Sequence, residues 1–281
     1  MRTWSYTDFV VPNRTGICSG KLAKMLGHVE VEASGRGASG LPGSGRVPLQ
    51  PGELLQTTLD RVLADALVAG LPVREFRWHK GQQHYSGWYW AATMGRLLAY
   101  ESRLELARIM LADFAAEVVG IATQPFRLVG EDGGRTRRHV PDILLVDADG
   151  GVTVVDVKAP DRLADPEVQA VFAWTRAAVA QRGWAFQAWA GAPKTLLDNV
   201  RFLAGYRRRT VAEAGLLPAV LEVAGEQATL GGIERALADR HPALLVRPAM
   251  LHLVWCGALQ VELERPLSLQ TRVRVVGEAI G

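Results

Sequence analysis

The sequence predicts an α/β protein with an αβββαβ core and a mixed sheet, followed by a small C-terminal domain. Between residues 102 and 204 the hydrophobic periodicity changes in the order helix, three strands, helix, strand, helix. Residues 139–160 add a hairpin signal, because two runs rich in β-branched residues flank Asp-Ala-Asp-Gly-Gly. The composition, 48% hydrophobic and 22% charged in 281 residues, is typical of a globular protein with a sizeable core.

The cysteine count and the charge restrict the classes of function that the chain can have. Cys18 and Cys256 are too few and too far apart for a disulfide framework or a zinc cluster. The sequence has no apolar run of transmembrane length and no signal-peptide core at its start, so we expect a cytoplasmic protein without a membrane partner. A net charge of +3 permits a nucleic-acid partner without requiring one.

Residues 1–70 form an N-terminal extension in this prediction. The segment 34–52 is crowded with Gly, Pro and Ser, which indicates a flexible loop or linker. Apolar residues at helical spacing predict an amphipathic helix over residues 53–69. Residues 76–100 combine aromatic and basic side chains in short strands that lead into a helix; core packing is the favoured interpretation of these side chains, and nucleic-acid contact is the alternative.

The predicted core, within a domain of residues 71–204, begins with a helix at Ser102. Ser102-Arg103-Leu104-Glu105 has the pattern of a capping box, in which Ser102 caps the helix and Glu105 bonds back to its start. Glu105 therefore has a complete structural role, and Glu101 lies one helical turn away as a rival for any functional one. A strand follows over residues 118–129, interrupted at Gln124-Pro125.

The register of the hairpin places two acids face to face. With residues 147–151 as the loop, Val146 faces Val152, and Asp142 then lies opposite Asp156 on one face of the sheet. A two-residue turn would give another register, in which the acids are no longer opposed. That turn would be Asp149-Gly150, and it would place Asp142 opposite Val157.

Facing carboxylates repel one another, so the pair of Asp142 and Asp156 predicts a cation between them. A hard divalent cation such as Mg²⁺ takes oxygen ligands and is often held by one or two carboxylates plus a phosphate. The period of two places Lys158 on the same face, where its charge could stabilise an anionic transition state. A basic run precedes the hairpin and is ordinarily a solvated face, although beside paired carboxylates it could hold a phosphate backbone. Its members are Arg135, Arg137, Arg138 and His139.

The remainder of the core follows from capping signals. Asp165-Pro166 starts a helix that ends before Gly183, a strand covers residues 184–189, and a helix covers residues 194–203. A basic cluster then marks the boundary to a domain of residues 205–281. The cluster comprises Arg201, Arg207, Arg208 and Arg209.

The C-terminal domain is predicted to be winged-helix-like, with three helices and a hairpin. The helices are predicted over residues 210–223, over residues 229–240 and from Pro248 to just before Gly257, and strands over residues 258–264 and 269–276. The third helix is almost wholly apolar, so we expect it to pack or to bind a protein partner rather than to recognise bases. Arg272 and Arg274 could still contact phosphates.

With these motifs laid out, the chain resembles the TnsA-type endonuclease subunits of heteromeric transposases, which belong to the PD-(D/E)xK nuclease superfamily with its restriction-endonuclease-like fold. The resemblance is strongest over residues 76–209. Four ordered motifs carry it: Ser102-Arg103-Leu104-Glu105-Leu106, the segment 118–126 ending in Gln124-Pro125-Phe126, Pro141-Asp142, and Asp156-Val157-Lys158-Ala159-Pro160. The family can carry Gln where Asp156 stands, and residues before 70 have no clear counterpart.

The resemblance implies Mg²⁺-dependent cleavage of double-stranded DNA at transposon 5′ ends, with Mn²⁺ as a substitute metal. It implies two protein partners, a DDE transposase and an ATPase regulator. Glu105, Asp142, Asp156 and Lys158 would be the catalytic residues, the three acids holding metal. The candidate DNA contacts are Gln124, Arg137, Arg138, His139, Arg207 and Arg208. Two alternatives remain: a restriction or repair nuclease of the same fold, and a catalytically silent scaffold that bridges transposase and ATPase.

Overall fold

The computed structural model describes residues 29–32, 55–73, 85–213, 215–225 and 229–276. The chain divides into two compact units. The described residues up to Gly191, apart from residues 114–116, belong to the first unit, and those from Ala192 onward belong to the second together with residues 114–116. The chain is an α/β protein with a mixed sheet, as predicted.

The first unit contains most of the strands. Its elements are β1 (Val29–Glu32), β2 (Leu55–Thr58), α1 (Ala64–Ala69), β3 (Gly87–Ala91), β4 (Arg96–Tyr100), α2 (Arg103–Phe114, whose last residue is counted with the second unit), β5 (Val118–Thr123), β6 (Arg127–Asp132), β7 (Arg135–His139), β8 (Ile143–Asp147), β9 (Val152–Val157), α3 (Pro166–Ala180) and β10 (Ala185–Trp189). A turn of 3₁₀ helix (Pro160–Arg162) separates β9 from α3.

The central sheet has the strand order β10-β9-β8-β5. β5 and β9 both run antiparallel to β8, and β10 runs parallel to β9, with α3 as the crossover between them. The apolar strands pack on a core that includes Phe126, Leu144, Val154 and Val179, all fully buried. Burial of each such side chain stabilises the folded state by about 1.5–3 kcal/mol. The packed sheet therefore holds the ends of its strands in fixed positions.

Five strands, not three, separate α2 from α3. The interruption predicted at Gln124-Pro125 is confirmed, but it separates two strands, so the prediction of one strand over residues 118–129 is wrong. Pro125 cannot donate to a ladder, and Gln124 adopts a left-handed φ of 46°. The chain thus leaves β5 and starts β6, which forms a hairpin with β7. This hairpin belongs to a second sheet of order β2-β1-β6-β7.

The β8–β9 hairpin has the predicted register. Val146 pairs with Val152, and the alternative with a two-residue turn is wrong. The loop is closed by hydrogen bonds from the backbone N–H of Asp147 to the carbonyl of Gly151 and from Gly150 to Asp147, both 2.9 Å. Gly150 supplies a φ of 87°, which other residues rarely adopt.

The N-terminal residues that the structure describes are partly strand. The helix predicted over residues 53–69 is wrong in its first half, where β2 pairs in parallel with β1, and only α1 is helical. The β-branched Thr57 and Thr58 suit a strand better than a helix. The predicted linker 34–52 lies outside the described residues.

Residues 85–100 follow the predicted pattern of short strands that lead into a helix. β3 and β4 form a hairpin, and α2 follows them. Tyr89 is only 6% exposed whereas Trp88 is 54% exposed, so the aromatic residues of this stretch are divided between core and surface.

The second unit contains α4 (Lys194–Leu203), α5 (Leu216–Ala224), α6 (Leu230–Leu237), α7 (Ala243–Trp255), β11 (Leu259–Val261) and β12 (Val273–Val275). β11 and β12 are antiparallel. α7 begins at Ala243 rather than at the predicted Pro248, which the helix accommodates in its interior. Every α7 residue from Ala249 to Trp255 is buried, as expected of a packing helix. In the described part of the chain, no helix is both long and apolar enough to cross a membrane.

Candidate functional site

An open cavity of about 320 Å³ lies in the first unit, beside the point where β8 begins and β9 ends. It is lined by three of the predicted catalytic residues, Asp142, Asp156 and Lys158. The hairpin register explains the convergence, since Asp142 precedes β8 directly opposite Asp156 and Lys158 follows β9. The remaining lining residues are His139, Val140, Arg162, Glu167, Val168, Val171 and Phe172.

Asp142 is held by the backbone on both sides. Its carbonyl accepts a hydrogen bond from the Gln124 N–H at 2.8 Å, and its Oδ2 accepts one from the Val157 N–H at 2.6 Å. The pKa of Asp142 is raised to about 7, first by burial and then by the negative charges of Glu105 and Asp156. The Val157 N–H and Lys158 oppose this shift without cancelling it. Burial and the neighbouring negative charges thus both disfavour the ionised form of this carboxyl group.

Asp156 is almost inaccessible, with 1% of its surface exposed. His139 at the end of β7 is its partner: Nε2 of the imidazole lies 2.9 Å from Oδ1 and 2.8 Å from Oδ2. The sequence analysis assigned His139 only to phosphate contact, and the pairing with Asp156 was missed. The signal available was the close spacing of His139 and Asp142, but the β6–β7 hairpin that presents the imidazole was not predicted.

Lys158 continues the edge of the sheet beyond β9. Its backbone N–H donates to the carbonyl of Trp189 at 2.9 Å, which extends the pairing with β10 by one residue. The backbone is thereby fixed, and the long side chain can reach into the cavity that Asp142 and Asp156 also line. The cavity is thus lined by the facing acids Asp142 and Asp156 together with Lys158.

Glu105 serves the start of α2 through the predicted capping box. The N–H of Glu105 donates to Ser102 Oγ at 3.0 Å, and Oε1 of Glu105 accepts from the same hydroxyl at 2.9 Å. Oε2 accepts from the Glu101 N–H at 2.9 Å. Glu105 nevertheless acts on the site electrostatically, because it raises the pKa of Asp142. Over the residues that the structure describes, no three His, Cys, Asp or Glu side chains form a group that could hold a metal.

The predicted DNA contacts fall into different environments. Arg137 is paired with Asp132, its Nε lying 2.7 Å from Oδ2. Arg138 and His139 line a second cavity of about 200 Å³ together with Arg127 and Val140. His139 and Val140 line both cavities. Among the basic residues predicted to contact DNA, Arg138 is therefore the best placed beside Asp142 and Asp156.

Three other predicted contacts are less suited to this role. Gln124 is 2% exposed, and within the described residues its Oε1 has no hydrogen-bond partner. Arg207 and Arg208 belong to the second unit. There the guanidinium of Arg207 donates to the carbonyl of Ala204.

Two charged residues that line the cavity, Arg162 and Glu167, were not predicted as site residues. Arg162 lies in the 3₁₀ turn after Lys158, and its Nη2 donates to Asp165 Oδ2 at 2.9 Å. Asp165 in turn caps α3 by accepting from the Glu167 N–H at 2.9 Å. The cap was predicted, and the short distance along the chain from Lys158 was the signal that could have placed both residues at the site.

Comparison of the chain with protein-family models finds no match, and comparison with curated proteins finds none either. The resemblance to TnsA-type endonucleases therefore stays a prediction, and the case for a function depends on the geometry of the cavity.

Proposed function

We propose that the protein is a divalent-metal-dependent DNA endonuclease. The observation that carries this proposal is the convergence of Asp142, Asp156 and Lys158 on one cavity from the adjoining ends of β8 and β9. Paired carboxylates with a nearby ammonium group are suited to hydrolysis of a phosphodiester, where the acids hold metal and the amine offsets negative charge. The strand order with α3 as a crossover is compatible with the predicted restriction-endonuclease-like fold.

The donor set suits Mg²⁺, with Mn²⁺ as a substitute. Mg²⁺ keeps several waters and is usually bound through one or two carboxylates, so Asp142 and Asp156 suffice as protein ligands. The raised pKa of Asp142 supports this assignment. A cation would stabilise the ionised carboxylate, which burial and the negative charges of Glu105 and Asp156 disfavour. When bound, such a cation supplies Lewis acidity and lowers the pKa of water.

Each residue then has a role fixed by its contacts. Val157 and His139 orient the carboxylates of Asp142 and Asp156, respectively. Lys158 reaches the same space and would place its ammonium group beside the scissile phosphate. Glu105 is bound to the helix start, so its contribution is to the potential around Asp142 or to a water-mediated contact.

The biological setting proposed is transposition. In it, the protein cuts the 5′ ends of a transposon in double-stranded DNA, with a DDE transposase cutting the 3′ ends and an ATPase as regulator. Arg138 and Arg127 beside the cavity would contact the DNA backbone. The helices α5, α6 and α7 and the short antiparallel strands of the second unit are compatible with a winged-helix-like domain, in which the largely apolar α7 favours packing or protein contact over base recognition.

The decisive experiment measures 5′-strand cleavage of DNA with Mg²⁺, with and without a DDE transposase as the partner. We expect cleavage by wild type and by Asp149→Asn, and none by Asp142→Ala. Asp149 is a matched control because it lies in the loop at the other end of the same hairpin, where Asn can still accept the Gly151 N–H. Equal cleavage by wild type and Asp142→Ala would reject the assigned site.

The same assay separates the alternatives. Cleavage by the protein alone, without transposase, would favour a restriction or repair nuclease. The absence of Mg²⁺-dependent cleavage under every condition, although Mg²⁺ binds, would favour a scaffold.

A further inference from the structure

The contact between His139 and Asp156 is nearly symmetrical. Nε2 lies 2.9 Å from one carboxylate oxygen and 2.8 Å from the other, so the ring nitrogen lies close to the plane that bisects the carboxylate between its two oxygens. A cation bound by both oxygens of a carboxylate lies in that same plane. His139 and a cation held by both oxygens of Asp156 therefore compete for one position.

Asp142 is restricted in a comparable way. Its Oδ2 accepts the Val157 N–H at 2.6 Å, which is a short contact to a backbone fixed within the sheet. Oδ1 is the oxygen better placed to take a ligand. Both acids of the cavity thus favour coordination through a single oxygen.

Coordination mode distinguishes divalent cations. Ca²⁺ takes six to eight oxygen ligands and readily uses carboxylates through both oxygens, whereas Mg²⁺ requires near-octahedral geometry and retains waters. We propose that His139 is a specificity-determining residue that limits Asp156 to one-oxygen coordination and so selects Mg²⁺ or Mn²⁺ over Ca²⁺. This inference depends on the proposed function of the cavity as a metal site.

The test is calorimetric titration of the full chain with Mg²⁺ and with Ca²⁺. In His139→Ala the bisector position is vacated, and we expect the ratio of Ca²⁺ to Mg²⁺ affinity to rise about tenfold, within the range seen when partners of metal ligands are removed. The ratio is the informative quantity, because loss of a hydrogen-bond donor beside Asp156 changes the affinity for both cations in the same direction. His241→Ala, a substitution of the same type in the second unit, should leave the ratio unchanged.

A second variant and a second measurement cover the case in which His139→Ala fails to fold, as judged by circular dichroism. His139→Gln retains an N–H donor for one carboxylate oxygen, and its ratio should lie between those of wild type and His139→Ala. Infrared carboxylate bands of wild type with Ca²⁺, compared with those of Asp156→Asn, report directly whether Asp156 binds through one oxygen or both.

The outcomes separate this inference from the proposed function. An unchanged ratio in folded His139→Ala, or a two-oxygen band for Asp156 in wild type, would overturn the role of His139 while leaving the metal site intact. Mg²⁺ binding that survives in both Asp142→Asn and Asp156→Asn would instead reject the metal site itself, and the inference with it.

Discussion

The backbone N–H of Val157 donates a hydrogen bond of 2.6 Å to Oδ2 of Asp142, and the pKa of Asp142 is still raised to about 7. One donor and the positive charge of Lys158 do not compensate for burial and for the negative charges of Glu105 and Asp156. Without a cation, the ionised form of Asp142 therefore lowers the stability of the folded protein despite the hydrogen bond from Val157. Under the proposed function, this cost in stability belongs to a site that binds a cation, and such perturbed pKa values are common at functional sites.

The first prediction concerns Asp142→Asn and the pH dependence of stability. The folded-state pKa of about 7 lies above the ordinary value of 3.8, so the folded protein binds the proton more tightly, and the wild-type stability falls as the pH rises from about 4 to about 7. Asn carries no charge. Without divalent metal, the variant should exceed wild type in free energy of unfolding by about 1–3 kcal/mol at pH 8 and by much less at pH 4.

Urea unfolding at these two pH values, in the presence of a chelator, checks this prediction. Asp149→Asn is the control, since it changes the same functional group in the exposed hairpin loop. Equal stabilisation of Asp142→Asn at both pH values would show that the effect does not come from ionisation of Asp142.

The second prediction separates the two roles of Glu105. Gln is compatible with a capping box, so Glu105→Gln should keep the contacts with Ser102 and Glu101 and change the free energy of unfolding by less than about 0.5 kcal/mol. Glu105→Ala loses them and should cost about 1 kcal/mol. Both variants remove the charge that raises the pKa of Asp142, so both should lower that pKa.

The pKa is measured from the carboxyl carbon resonance of Asp142 during an NMR pH titration, and stability by thermal unfolding. Glu101→Gln is the matched control one turn away. If it lowers the pKa of Asp142 as much as Glu105→Gln does, Glu105 has no privileged relation to the site.

The parts of the site that could be predicted are those specified by local sequence. The register of β8 and β9 follows from the five residues 147–151, which connect the paired residues Val146 and Val152. This register determines that Asp142 and Asp156 face each other. The capping box of α2 is equally local, because its partners lie within four residues of one another.

The parts that could not be predicted depend on contacts between distant segments. His139 reaches Asp156 because β6 and β7 form a hairpin in a separate sheet with β1 and β2. Gly133-Gly134 is a local signal for the turn of this hairpin, but nothing near His139 specifies the pairing of β6 with β1. α7 continues through Pro248, where the local rule predicted a helix start, and all of its residues from Ala249 to Trp255 are buried. In both cases tertiary packing overrides local preference.

The third prediction concerns the loop that fixes the register of the hairpin. Gly150 has a φ of 87°, and within the described part of the chain nothing lies within 4 Å of the position that a Cβ would occupy. Gly150→Ala should therefore lose about 1 kcal/mol through backbone strain alone, without a clash. Urea unfolding gives the change, and Gly205→Ala is the control, because Gly205 has equal space around it and an ordinary φ. A loss in Gly205→Ala as large as that in Gly150→Ala would exclude backbone strain as the cause.

The fourth prediction concerns Asn199 of α4, which organises the segment between β11 and β12. Its Nδ2 donates to the carbonyls of Leu263 at 2.9 Å and Arg265 at 2.7 Å, and its Oδ1 accepts from the Leu267 N–H at 3.2 Å. These bonds explain why α4 belongs to the second unit, although the sequence analysis grouped residues 194–203 with the core. Asn199 is only 6% exposed and its three hydrogen bonds are part-buried, so its removal takes these bonds from the backbone of the segment.

Asn199→Ala should therefore lower the free energy of unfolding by about 2–4 kcal/mol, the sum expected for three part-buried hydrogen bonds. Asn199→Asp should be at least as harmful at neutral pH, because it replaces the donor by a charged oxygen that faces two carbonyl oxygens. Chemical unfolding measures the loss, and limited proteolysis should show new cleavage within residues 262–268. If both variants match wild type in stability and protease resistance, the three hydrogen bonds do not hold this segment, and another contact must join α4 to the second unit.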